Sequence, residues 1–256
     1  MTWRFDLATE IGGRAEQQDR VEVLALPDRP GEHVVILADG MGGQQQGAIA
    51  AQAVIDTARS VLSQVVETEP KQFLTDLCLR AHETIRAIGK QHDTNPASTC
   101  TALYIRGEEA YWIHVGDSRL CHFNADNLVL RTRDHTVAEL LNADGSDPQA
   151  SLQSGLADNQ LYMCLGGQNE LEPEFGASAV GDNDWFMICS DGFWNQVADD
   201  EVANAWAGSG AGRKTASDLA MMATERGGPG GDNVSVALVT PTSGAPDVKK
   251  AWWRFY

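Results

Sequence analysis

"VVILADGMGGQQQGAIAAQ", residues 34–52, runs a strand-like apolar segment into an aspartate, three glycines within four residues, and a small-residue helix. Either the glycines cradle phosphate with their backbone, or Asp39 sets a carboxylate where a cation will sit. A phosphate loop G-x-x-x-x-G-K-[ST] needs a lysine, but after Gly42 and Gly47 come Ala48 and Ile49. The dinucleotide fingerprint G-x-G-x-x-G starts at Gly40 and Gly42 and then meets Gln45. That leaves Asp39, at the end of a buried strand, where an isolated carboxylate is costly unless something cationic meets it.

The same setting recurs along the chain. Asp19 after "GGRAEQQ", Asp117 in "HVGDSR", Asp191 in "ICSDG" and Asp232 in "GPGGDN" each stand at a strand-to-turn junction. One such aspartate reads best as a turn former or helix cap. Five together, with no His or Cys ligand set, suit hard, oxygen-preferring Mg²⁺ or Mn²⁺ rather than zinc.

At 256 residues, with 43% hydrophobic and 21% charged composition, the chain suits one soluble domain with a full core. Its net charge of −17 excludes a nucleic-acid backbone or an anionic membrane surface as partner. No apolar run approaches the roughly 20 residues that span a bilayer, and "MTWRFDLATE" lacks the pattern of a secretion signal. A cytoplasmic protein is expected, its five widely spaced cysteines reduced.

Short strands are expected near residues 3–9, 20–26 and 33–38. Helices follow over 47–66, with Ile49, Val54, Ala58, Val61, Leu62 and Val65 as the apolar face, and over 71–91, with Phe73, Leu77, Cys78, Ala81, Ile85 and Ile88. Residues 99–132 read as an antiparallel meander with hairpin-length turns. "DHTVAELLNADG" predicts a short capped helix, and residues 143–160 a long polar loop. "DWFMICS" and "NVSVALV" predict buried strands, and "DEVANAWAG" and "GRKTASDLAMMATERGG" helices. Strand blocks with helices gathered between them argue an α+β fold of packed sheets. The expected domain is 1–240, followed by a tail over 241–256 that ends in "AWWRFY".

The ordered series "GGRAEQQD", "ADGMGGQQQGAIAA", "STCTALYI", "HVGDSRLCHF", "TRDHTV", "ICSDGFWNQV" and "GGDNVSVALV" resembles the motifs of bacterial metal-dependent type 2C (PPM family) protein serine/threonine phosphatases. The resemblance implies two antiparallel β-sheets packed face to face, flanked by helix pairs, with a binuclear Mg²⁺ or Mn²⁺ centre at the sheet ends. By motif position Asp39 bridges both metals, the Gly40 carbonyl binds one, Asp191 and Asp232 bind the other, and Asp19 holds the centre partly through water. A third metal site would use Asp117 and Asp191. Asp39, Asp191 and Asp232 are thereby the catalytic set, activating a hydroxide shared by two metals for in-line attack on phosphorus. Arg14 matches the arginine that grips phosphate, a task its planar fork suits.

Some residues depart from the family pattern. Met41 stands where many eukaryotic members carry a histidine proposed as general acid, and Gln17-Gln18-Asp19 replaces the usual Asn-Glu-Asp or Asn-Gln-Asp. His135 in "TRDHT" is a loose candidate for the proton donor and reads first as an orienting or structural histidine. "NQLYMCLGG" lacks an arginine often found in its counterpart, and residues 143–165 correspond to a flap beside the cleft. The implied activity is hydrolysis of phosphoserine and phosphothreonine on proteins, with a Ser/Thr kinase's targets as substrates and a monomer as the working unit. A phosphoprotein-binding module without turnover is the alternative, but such degenerate members usually lose one of the aspartates, and all are present here. Promiscuous hydrolysis of small phosphoesters is a third.

Overall fold

Val34, Ile36 and Ala38 leave the strand before Asp39 on one side, Val35 and Leu37 on the other, and all five are fully buried. A strand buried on both faces needs a packed layer on each side. The computed structural model shows those layers. It describes residues 1–26, 28–43, 45–64, 69–143, 160–207 and 214–242.

Strands β1 (Trp3–Glu10), β2 (Asp19–Ala25) and β3 (His33–Met41) precede helices α1 (Gln46–Gln64) and α2 (Pro70–His92). The meander comprises β4 (Ala97–Ser98), β5 (Cys100–Arg106), β6 (Glu109–Val115), β7 (Arg119–Asn124) and β8 (Asn127–Arg131). Next come α3 (Val137–Ala143), β9 (Glu174–Ala179), β10 (Asp184–Cys189), α4 (Asp191–Trp194), α5 (Asp199–Ala207), α6 (Ala216–Gly227) and β11 (Val234–Pro241).

One sheet runs β1-β11-β10-β7-β8 and the other β2-β3-β5-β6-β9, with β4 paired to β3; every recorded strand pair is antiparallel. Val35, Leu37, Leu103 and Trp112 of the second sheet meet Phe186, Ile188, Ala237 and Val239 of the first between the layers. Outside the second sheet lie α1 and α2, packing Val54, Ala58, Phe73, Leu77 and Ile85 over Val34 and Ile36. Outside the first sheet, Val202 of α5 and Leu219, Ala220 and Ala223 of α6 cover Met187, Val236 and Leu238. α6 starts at a capping box in which Thr215 and Asp218 satisfy each other's backbone N–H groups.

The α+β sandwich with flanking helices therefore matches the sequence reading. Ile49 does not: at 47% exposure it lies off the core face of α1. It precedes Val54 by five residues, about 140° around a helix. Val65, most of the 143–160 loop and most of the tail, including "AWWRFY", lie outside the described residues.

Candidate metal centre and active site

Asp19 opens β2 and pairs in register with Asp39 on β3. Asp117 follows β6 through Gly116, whose φ of 106° turns the chain out of the strand. Asp191 begins α4 directly beyond β10, and Asp232 immediately precedes β11. Three aspartates thus come from one sheet and two from the other, meeting where the strand ends face each other. Asp39, Gly40, Asp117, Asp191, Asp232 and Arg14 line an open cleft of about 650 Å³. Asp19 is 2% exposed.

Close backbone packing sets this geometry. A Cβ on Gly40 would overlap the Gly47 carbonyl oxygen at the start of α1, so the loop after Asp39 requires glycine there. Gly12, at φ 62°, lies against the Asp232 carbonyl and lets the loop carrying Arg14 fold onto the segment before β11. Arg14 then donates from Nη2 to Asp232 Oδ2 at 2.5 Å.

The five carboxylates act on one another. Burial, then the charges of Asp19, Asp191, Asp117 and Asp232, hold Asp39 well above the ordinary carboxylate range. Burial pushes Asp19 up to about 6, against the easing effect of the Ser190 hydroxyl. Ser190 Oγ donates to Asp19 Oδ2 at 2.8 Å, whereas Ser235 Oγ and Asp19 Oδ1 are buried and, among the described residues, outside hydrogen-bonding geometry with any partner. Burial and the neighbouring Asp232 raise Asp191 to about 6, and burial with Asp191 and Asp134 raises Asp117 to about 7. Arg14 is the one Lys or Arg among the described residues lining the cleft.

An all-oxygen donor set, an orphaned carboxylate oxygen and uncompensated negative charge together fit hard divalent cations. Among the described residues no three acidic, His or Cys side chains form a ready-made metal cage. Asp39, Asp117, Asp191 and Asp232 border an open cleft instead.

Sequence reasoning missed the residues that hold the aspartates. Asn233 accepts from Gln18 N at 2.8 Å and donates from Nδ2 to the Ile11 and Glu16 carbonyls at 2.9 and 3.0 Å, stapling the Arg14 loop to β11. Thr99 Oγ1 accepts the Asp39 N–H at 2.9 Å, and Thr99 N donates to the Asp39 carbonyl at 2.8 Å. Trp194 Nε1 donates to the Asp117 carbonyl at 2.9 Å, with Arg119 stacked 3.6 Å over its ring and paired with Asp134. Their nearest sequence signal is adjacency to an acid or a turn, as for Asn233 beside Asp232.

His135 is structural, as expected. It is 5% exposed, its Nδ1 accepts from Gly116 N at 3.1 Å, and burial lowers its pKa to about 4. Of the segment assigned to the flap, Gln160, Leu161 and Cys164 line the cleft, and residues 144–159 lie outside the described residues. Leu165 is pinned to Ser98 by reciprocal backbone hydrogen bonds of 3.0 and 2.9 Å.

Known proteins resemble this chain in sequence and fold. The chain is 28% identical to protein phosphatase PhpP of Streptococcus pneumoniae over 242 residues, covering 92% of this chain and 96% of that protein. A Streptococcus agalactiae serine/threonine phosphatase structure superposes with a TM-score of 0.81 at 27% identity, over 93% of this chain and 99% of that one. The catalytic domain of the phosphatase PstP, solved with two manganese ions, has the same fold, with a TM-score of 0.73 at 24% identity over 93% and 97% of the two chains. The family profile described as protein phosphatase 2C matches residues 11–217, well over half of the sequence, and the chain belongs to that family.

Proposed function

We propose that this chain is a divalent-metal-dependent phosphatase that hydrolyses phosphoserine and phosphothreonine on proteins, with residues 1–240 as its catalytic domain. The observation that carries this is the convergence of Asp39, Asp117, Asp191 and Asp232 on a cleft, with Asp19 buried beside Asp39 and Arg14 the one Lys or Arg among the described lining residues. Family membership supports it.

In this reading Asp39 and the Gly40 carbonyl, with Asp19, Asp191 and Asp232, hold two Mg²⁺ or Mn²⁺ ions, and Asp117 with Asp191 holds a third. Bound there, the cations neutralise the carboxylates, polarise the phosphoryl group and lower the pKa of water toward neutrality. Arg14, at the cleft edge, binds two phosphoryl oxygens through its planar fork and orients phosphorus. Met41 has no proton to give, and His135 is a buried hydrogen-bond acceptor. The leaving serine or threonine oxygen therefore takes its proton from water admitted to the open cleft or from a carboxyl that lines it.

The substrates in this proposal are the targets of a Ser/Thr kinase, and the protein works as a monomer in the cytoplasm, an assignment that its free cysteines support. Purified protein with Mn²⁺ should hydrolyse both p-nitrophenyl phosphate and a phosphothreonine peptide. Hydrolysis of neither would refute the proposal.

A further inference from the structure

Glu16, beside Arg14, lines a second depression as well as the cleft. This groove, about 610 Å³, lies between the N-terminus of α1 and the C-terminus of α2, and Ile49, Ile88 and Pro96 give it an apolar floor. Ile49 is the residue that sequence periodicity assigns to the core and the fold leaves 47% exposed. Thr94 and Pro96 in turn border a third cavity of about 300 Å³, where Arg86 and Lys90, one helical turn apart on α2, face a single acid, Asp93. Cleft and groove share Glu16, and groove and basic pocket share Thr94 and Pro96, so the three adjoin in series as a trough.

We propose that this trough holds the substrate polypeptide next to its phosphorylated residue, with Ile49, Ile88 and Pro96 covering an apolar side chain and Arg86 and Lys90 facing an acidic one. The inference rests on the phosphatase reading and adds what kind of substrate the enzyme prefers. Two observations select a polypeptide of this chemistry as the occupant. The groove adjoins, at Glu16, the cleft that receives the phosphate, and the far end of the trough carries two cations in a chain of net charge −17. Apolar contact area beside an acidic surface also gives an anionic substrate a foothold that electrostatics alone would deny it.

The test compares two phosphothreonine peptides in Mn²⁺, one with leucines and glutamates around the phosphoresidue, the other with serines and lysines at the same positions. The parent protein should favour the first by roughly tenfold in kcat/KM, the scale of one apolar contact in a specificity pocket. Ile49→Glu and the double variant Arg86→Glu/Lys90→Glu should each erase most of that preference, and Ile49→Met should keep it. All should hydrolyse p-nitrophenyl phosphate within about twofold of the parent, because a small substrate draws no binding energy from remote contacts. Equal kcat/KM for both peptides in the parent, or a preference unchanged by the variants, would overturn the role of the trough. Absence of hydrolysis of every substrate, p-nitrophenyl phosphate included, would overturn the phosphatase reading itself.

Discussion

Asp19→Asn should make the metal-free protein more stable while damaging its active site. Asp19 is 2% exposed, with its carboxyl raised from the ordinary 3.8 to about 6, first by burial. Between those values the folded chain keeps a proton that the unfolded chain has released, so raising the pH through this window destabilises the fold. The penalty is complete above about pH 7, absent below about pH 3, and amounts to about 3 kcal/mol for a group taken alone. Asparagine has nearly the same shape, keeps an acceptor for Ser190 Oγ and carries no charge. In chelator at pH 8, thermal unfolding followed by circular dichroism should show the variant up to about 6–12 °C above the parent. At pH 5 the gain should fall to about half, because the parent is then largely protonated when folded. Added Mn²⁺ should reverse the order, since the parent gains stability from every cation it binds better than the variant does. A variant no more stable than the parent in chelator at pH 8, or a difference independent of pH, would show that Asp19 carries no uncompensated charge.

Asp191→Asn and Asp232→Asn should each lower kcat by about 10²–10³-fold, the scale of losing one preorganised charge-stabilising group, with circular dichroism unchanged. Arg14→Ala should lower kcat/KM for a phosphopeptide by about tenfold or more, and Arg14→Lys should restore little, because an ammonium cannot span two phosphoryl oxygens. Asn233→Ala should cost about 2–4 kcal/mol in urea unfolding, since it strands the Gln18 N–H and the Glu16 carbonyl and takes one of two donors from the Ile11 carbonyl.

Much of the site was legible because its aspartates stand beside glycines that the backbone demands. Gly40 and Gly12 are fixed by close chain approach, and that constraint writes itself into the sequence as "DGMGG" and "GGR". The buried strand before Asp39 was legible from its apolar run. β9 was not: "EFGASA" has weak strand propensity, and it forms because Gly176 pairs with Trp112 and packs under its ring. Ile49 misled for a related reason, since a three- and four-residue rhythm shows that a face exists without marking where it ends. Asn233 and Ser190 act on partners as much as 222 and 171 residues away in the chain, and no local pattern encodes contacts of that range.

The division of the aspartates between two sheets bears on how the protein is made. β1 pairs only with β11 in its sheet, and β11 lies between β1 and β10, so the first described strand waits for the last. Asp232 arrives on the ribosome just ahead of that closing strand, after Asp19, Asp39, Asp117 and Asp191 have all been translated. No shorter nascent chain holds the full set of carboxylates, and synthesis itself postpones hydrolytic activity until the sandwich can close.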